Sequence, residues 1–192
     1  MQHQKEGRRP EEMTSAEFKR RVVEAAKKVT AATGYPWQLV AAQACLETGY
    51  GRHVPVDGKT GKYSYNIFGI KGAGPAGSVL CETTEYYPPA RARQLAAEGK
   101  AVMTNDVRNG LVKCIVNDYF KAFHSFEEAL EWYMKLVSTP RYRPVWEHAG
   151  DPVAAARAIQ RCGYATDPGY ADKLIAIMRQ EGWLDKPAGG GQ

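Results

Sequence analysis

Residues 41–51 read Ala41-Ala42-Gln43-Ala44-Cys45-Leu46-Glu47-Thr48-Gly49-Tyr50-Gly51. This small, apolar run carries one carboxylate, Glu47, just before a glycine-bounded turn. Ala and Leu favour helix, and a glycine directly after the run marks its stop. Glu47 therefore falls in the last helical turn. Carbonyls there lack intrahelical partners and carry a partial negative charge. That field disfavours an ionised carboxylate, and burial would disfavour it further. A purely structural helix end more often carries Lys or Arg. A glutamate that keeps its proton near neutral pH can deliver it to a leaving group. The stretch predicts an acid catalyst in a cleft; the plain alternative is a helix-end glutamate bonded to the following loop.

Upstream, Thr14-Ser15-Ala16-Glu17 has the form of a capping box. Phe18, Val22, Ala25, Ala26 and Val29 then recur at helical spacing to about Ala32. Gly34 ends that helix, and Pro36 opens the next, from Trp37 to about Thr48. Downstream, residues 52–77 are rich in Gly, Pro, Lys and Asp and read as loop. Residues 79–87 and 111–123 have strand composition. Between them, 88–110 predicts a short helix over 90–98 and a turn-rich return, so the strands are expected to form an antiparallel hairpin with a decorated tip. Ser125-Phe126-Glu127-Glu128 is a second capping box, and Thr139-Pro140 begins a short helix around 142–148. Asp151-Pro152 supplies an N-cap and a proline at the first helical position, with Gly163 as the stop. Asp167-Pro168 repeats the device for a last helix ending at Gly182. The expected fold class is α+β and mainly α. One domain would cover 14–185, with a small antiparallel β-lobe at about 78–123, a disordered segment at 1–13 and a flexible tail at 186–192.

The chain has 192 residues, 44% hydrophobic and 24% charged, enough for one sizeable core. No stretch approaches the roughly 18 consecutive apolar residues of a membrane span. Residues 1–13 have no apolar core of the kind a secretory signal needs. A cytosolic protein, one exported or released by another route, and a piece of a longer chain all fit. The net charge of +5 favours polyanionic surroundings without choosing among nucleic acid, anionic lipid and anionic cell-wall polymer. Lys19-Arg20-Arg21 and Lys27-Lys28 read as the solvated face of one helix. Four cysteines at wide spacing form neither a CxxC pair nor a disulfide scaffold. Cys45 and Cys162 read as small core residues, whereas Cys81 and Cys114 could face each other across the strand pair. His53, His124 and His148 lack ligand-like spacing, so no metal site is expected.

A helix-end glutamate together with an acid on a β-lobe suits glycoside hydrolysis. One carboxyl protonates the departing oxygen, while the other activates water or stabilises charge at the anomeric carbon. Thr83-Thr84-Glu85-Tyr86 supplies the second acid, Glu85. Glu82 competes with it, and strand alternation puts the two on opposite faces.

At these residues the chain resembles the family 73 glycoside hydrolases, peptidoglycan-cleaving N-acetylglucosaminidases that include flagellar rod-assembly hydrolases and autolysins. The likeness runs through residues 42–51, Tyr65-Asn66-Ile67-Phe68-Gly69-Ile70-Lys71, Thr83-Thr84-Glu85-Tyr86, the stretch 120–130, Thr139-Pro140-Arg141-Tyr142, and Cys162-Gly163-Tyr164-Ala165-Thr166-Asp167-Pro168-Gly169-Tyr170. The resemblance implies a lysozyme-like α-lobe and a β-lobe with the glycan between them. It assigns Glu47 as general acid, Glu85 as the β-lobe acid and Tyr164 as a tyrosine near the reaction centre, with Asn66 and Phe68 bordering the cleft. It implies cleavage of the β-1,4 bond on the reducing side of N-acetylglucosamine, with no metal or organic cofactor. The segment 88–110 is longer than in the flagellar members, which bears on the role of Glu85.

Each residue also has a plainer reading. Tyr164 could be a packed aromatic, with Tyr170 the alternative near the acid. Asn66 could stabilise a turn, and Phe68 could be core. Tyr65, Tyr50 and Tyr142 are candidate sugar platforms or partly buried rings. The sugar's own 2-acetamido oxygen could attack in place of a Glu85-activated water. Expected partners are peptidoglycan glycan strands and anionic wall polymers, with no nucleic acid, no membrane insertion and a monomeric state. The place of action is the bacterial wall, for an endolysin, autolysin or flagellar hydrolase alike. A lytic transglycosylase or muramidase, and a non-catalytic wall-binding module, are the competing functions.

Overall fold

The computed structural model describes residues 13–184; apart from Met13, the segments 1–13 and 186–192, for which disorder and a flexible tail were expected, lie outside the described residues. The elements in chain order are α1 (Ser15–Thr30), α2 (Trp37–Thr48), β1 (Ser78–Tyr87), α3 (Pro89–Ala97), β2 (Ala101–Arg108), β3 (Leu111–Lys121), α4 (Phe126–Val137), a 3-10 turn (Pro140–Tyr142), α5 (Arg143–Trp146), α6 (Pro152–Arg161) and α7 (Tyr170–Gln180). Among the described residues, no helix is long and apolar enough to cross a membrane. They form two compact units. One comprises residues up to Val54, Ile67–Gly69 and the chain from His124 onward; the other comprises Pro55–Asn66 and Ile70–Phe123.

The first unit is helical, and α2 lies inside it, packed on α1, α6 and α7. A helix that is apolar on all sides must be buried on all sides. Eight of the twelve α2 residues are buried, Leu39 to Cys45 and Thr48. Phe18 and Val22 of α1, Leu130 and Tyr133 of α4, Ile159 of α6, and Leu174 and Met178 of α7 complete the core. Each such apolar side chain contributes about 1.5–3 kcal/mol on burial.

Local chemistry sets the ends of these helices. Thr14 accepts from the Glu17 amide at 3.2 Å, while the Glu17 carboxylate accepts from the Thr14 amide at 2.8 Å, closing the expected capping box. Ser125 makes only half of one: it caps the Glu128 amide, but the Glu128 carboxylate turns to the His124 amide at 2.7 Å. Asp151 caps α6 as expected. Asp167 does not repeat the device. It folds back on the Gly169 amide at 2.9 Å, and α7 begins at Tyr170. Gln160 of α6 supplies the missing acceptor, to the Ala171 amide at 2.6 Å.

The second unit carries a three-stranded antiparallel sheet in the order β1-β3-β2. Pairing of β1 with β3 is the antiparallel lobe expected from composition. Strand β2 occupies what reads in sequence as a turn-rich return. Its Asn109-Gly110 turn to β3 has positive φ at both residues, 51° and 77°, as a two-residue hairpin needs. Helix α3 sets Ala92 against Val112, Cys114 and Val116. The unit starts at Pro55, well before the expected 78, because its loops are bonded to the strands. Asp57 accepts from the Leu80 amide at 2.9 Å, and Gly72 donates to Tyr119 at 2.8 Å. Cys81 and Cys114 do not face each other. Cys81 is opposite Asp118, Cys114 is opposite Glu85, and both thiols are free.

Candidate active site

Glu47 is the last residue but one of α2, and the turn after it is tightly specified. Gly49, Tyr50 and Gly51 all take positive φ, 55°, 60° and 87°. At Gly51 an added Cβ would lie 2.6 Å from the Phe18 ring, so only glycine fits. Tyr50 bears the left-handed conformation at a cost of about 1–2 kcal/mol. Thr48 stitches the turn: its hydroxyl donates to the Ala44 carbonyl at 2.6 Å and accepts from the Gly51 amide at 2.9 Å. The helix thus stops abruptly and leaves Glu47 exposed on the surface of the helical unit.

The Glu47 carboxyl is accessible yet not fully hydrated. It borders a depression of about 280 Å3 lined also by Tyr170, Asp167, Lys173 and residues 165–166. Surrounding protein raises its pKa above the usual glutamate range, and a hydrogen bond from the Tyr170 hydroxyl, 2.9 Å from Oε1, pulls partly the other way.

Behind Tyr170 runs a buried line of polar groups. Gln43 Nε2 donates to the Tyr170 oxygen at 3.2 Å, and the Tyr133 hydroxyl donates to Gln43 Oε1 at 2.5 Å. The Tyr35 hydroxyl lies 3.3 Å from that of Tyr133. Burial pushes the phenols of Tyr35, Tyr133 and Tyr170 far up, so they stay protonated. Tyr164 stacks on Tyr170 at 5.8 Å between centroids and meets Tyr133 and Tyr142 edge-on. Its loop is clamped by Arg141, whose guanidinium donates to the carbonyls of Cys162 and Gly163. Burial raises the Tyr164 pKa first, and the nearby Glu47 charge second.

In the sheet unit Glu85 is half-buried on β1 and Glu82 is exposed. Lys71 Nζ lies 2.5 Å from Glu85 and 2.8 Å from Asp118. Partial burial works against the Lys71 charge, but the two carboxylates outweigh it and lift its pKa to about 12. The Lys71 ammonium in turn holds Asp118 below the usual carboxylate range.

The other sequence candidates are placed as follows. Asn66 is fully buried; its side chain bonds the Ile70 amide and the carbonyls of Ile70 and Lys121. Phe68, 8% exposed, stacks on Tyr133 at 4.5 Å. Tyr142 is 4% exposed and offers no open ring face to a sugar. Tyr65 has a positive φ of 54° and packs edge-on against Tyr63. Tyr50 is partly buried beyond the turn. The structure therefore gathers Glu47, Tyr170, Tyr164, Tyr142 and Phe68 in one unit, and holds Glu85, Asn66 and Tyr65 in the other. Gln43, Tyr133, Tyr35, Lys71 and Asp118 were not singled out from sequence. For Gln43 a signal existed: it is the one polar residue between Leu39 and Leu46.

A family model described as mannosyl-glycoprotein endo-beta-N-acetylglucosaminidase matches residues 23–182. The peptidoglycan hydrolase FlgJ of Escherichia coli O157:H7 is 34% identical over 150 residues, covering 77% of this chain and 41% of the relative. The chain thus spans less than half the length of that relative. The C-terminally truncated glycoside hydrolase domain of Salmonella typhimurium FlgJ superposes with a TM-score of 0.64 at 32% identity, covering 90% of this chain and all of that one. A peptidoglycan hydrolase mutant from Sphingomonas sp. A1 does so with a TM-score of 0.61 at 34% identity, covering 88% and 99%. The helical unit with its terminal glutamate and the small antiparallel sheet are those of a lysozyme-like glycoside hydrolase, and the chain belongs to the glucosaminidase family, family 73 of these enzymes.

Proposed function

We propose that this chain hydrolyses the β-1,4 bond between N-acetylglucosamine and N-acetylmuramic acid in peptidoglycan, as an endo-β-N-acetylglucosaminidase with Glu47 as general acid. The observation that carries the reading is one accessible carboxyl with a raised pKa, beside an open depression and backed by an oriented phenol. The raised pKa keeps the proton on Glu47 at pH values where ordinary glutamates have lost it, and Tyr170 holds one carboxyl oxygen in place. Protonating the glycosidic oxygen lets the bond break with positive charge building at the anomeric carbon. Glu85 serves as the second carboxylate, its orientation fixed by Lys71. Tyr164, whose hydroxyl has no protein hydrogen-bond partner among the described residues, stabilises the reacting sugar ring. The name of the Escherichia coli relative supports peptidoglycan as substrate. The positive net charge supports approach to an anionic wall.

The test is release of reducing ends from purified peptidoglycan, with mass spectrometry of the fragments. Glu47→Gln is expected to lower turnover by about 10²–10⁴-fold, and the new reducing ends should be N-acetylglucosamine. Anhydromuramic products would instead assign a lytic transglycosylase. Wall binding without turnover by the unsubstituted chain would assign a binding module.

A further inference from the structure

The line of groups behind Glu47 has a direction. Gln43 is fully buried in the middle of α2, and both ends of its amide are engaged. The two distances fix which end faces which tyrosine. The 2.5 Å contact to Tyr133 fits O–H···O and is too short for N–H···O, whereas the 3.2 Å contact to Tyr170 fits N–H···O and is long for O–H···O. The Tyr133 proton is therefore committed to Gln43 Oε1, which leaves Tyr35 as donor to Tyr133. At the other end the Tyr170 oxygen receives the Gln43 N–H, and the Tyr170 proton goes to Glu47 Oε1. Every donor points towards the acid, an arrangement in which each bond polarises the next.

We propose that Gln43 is a positioning residue that decides where the acid's proton sits. By occupying the Tyr170 oxygen, it makes Tyr170 a donor to Glu47 Oε1 and confines the catalytic proton to Oε2. Oε2 has no protein partner among the described residues and is free to meet the departing oxygen. Without Gln43 the Tyr170 oxygen becomes an acceptor, the Glu47 proton can turn inward onto it, and that fraction of the enzyme is idle. The titratable groups around this line are Tyr35 ahead of α2, Tyr133 on α4, Tyr142 in the 3-10 turn, Cys162 after α6, Tyr164 before α7 and Tyr170 on α7. Asp167 and Lys173 pair with each other at the rim, 2.5 Å apart. None is placed to replace the amide.

This inference rests on Glu47 being the acid, so Glu47→Gln is assayed alongside. Gln43→Leu removes both ends of the amide at similar size and is expected to cut kcat about 10–100-fold with KM within about twofold. Gln43→Glu adds a readout that packing alone would not move. At low pH the introduced carboxyl is protonated, accepts from Tyr133 and donates to Tyr170, so turnover stays near that of the unsubstituted chain. Its ionised form takes the Tyr170 proton for itself, so the basic limb of kcat is displaced from the original one. A kcat within twofold for a folded Gln43→Leu, an unmoved limb for Gln43→Glu, or failure of Gln43→Glu to fold even at low pH overturns the proposal. If those results come with an inactive Glu47→Gln, Gln43 alone is misassigned; if Glu47→Gln stays active, the acid assignment falls first.

Discussion

At position 47 two influences act on one carboxyl in opposite senses. Surrounding protein favours the neutral form, and the Tyr170 hydroxyl favours the ion, with burial the stronger. The result is a group that suits catalysis and burdens the fold. A pKa raised in the folded state contributes stability below the unfolded value of about 4.3, and that contribution is lost as pH rises through the folded value. Above that folded value the ionised Glu47 is therefore a liability that a neutral isostere lacks. Above the folded value Glu47→Gln should raise the thermal midpoint by up to about 3 °C, a modest figure because the side chain is partly solvated. The gain should shrink towards zero near pH 4. Thermal melts of both proteins across that range check it, and an equal gain at both ends would contradict the proton linkage.

At the scale of the element, α2 and its exit turn do most of the positioning. Eight of the twelve residues of this helix are buried, so its register cannot slip without moving Leu39, Val40 and Cys45 through the core. The turn is the vulnerable part. Gly51→Ala puts a methyl 2.6 Å from the Phe18 ring at a positive φ, and is expected to cost about 1–3 kcal/mol with a large loss of activity. Gly34→Ala, also at positive φ but with nothing within 4 Å, should cost only about 1 kcal/mol and leave activity intact. Urea denaturation of the two variants makes the comparison, and equal costs would mean the close approach to Phe18 is unimportant. Helices such as this were legible in sequence because their signals are local: a capping pair, a proline, a glycine. Strand β2 was not, because Asn105 and Asp106 break the usual strand composition where its register against β3 shifts, between Met103 and Val107. The Asn109-Gly110 pair was the local signal that marked it.

Over the whole molecule, long-range pairings escaped the sequence. Gln43 meets Tyr133 across 90 positions and Tyr170 across 127, and no spacing rule links residues so far apart. Glu47, Tyr164 and Tyr170 could be named because ordered blocks surround them, but the polar line joining Glu47 to Tyr35 emerges only from the fold. Lys71 likewise reads as one more lysine until the sheet brings it to Glu85 and Asp118. The net charge of +5 belongs to this scale too. Screening lengths fall to about 10 Å at 0.1 M salt and about 3 Å at 1 M. KM on whole walls should therefore rise several-fold over that range, while kcat on short soluble glycan fragments changes little. A salt-independent KM on whole walls would remove charge from substrate approach.

The account stands most directly on the protonation of one side chain. Carboxyl carbon-13 NMR of the unsubstituted chain, with the Glu47 resonance identified by its loss in Glu47→Gln, measures that titration beside the pH profile of kcat/KM. The account predicts a Glu47 midpoint above the usual glutamate range that coincides with the basic limb of activity. A midpoint near 4.3, with turnover persisting well above it, would contradict it.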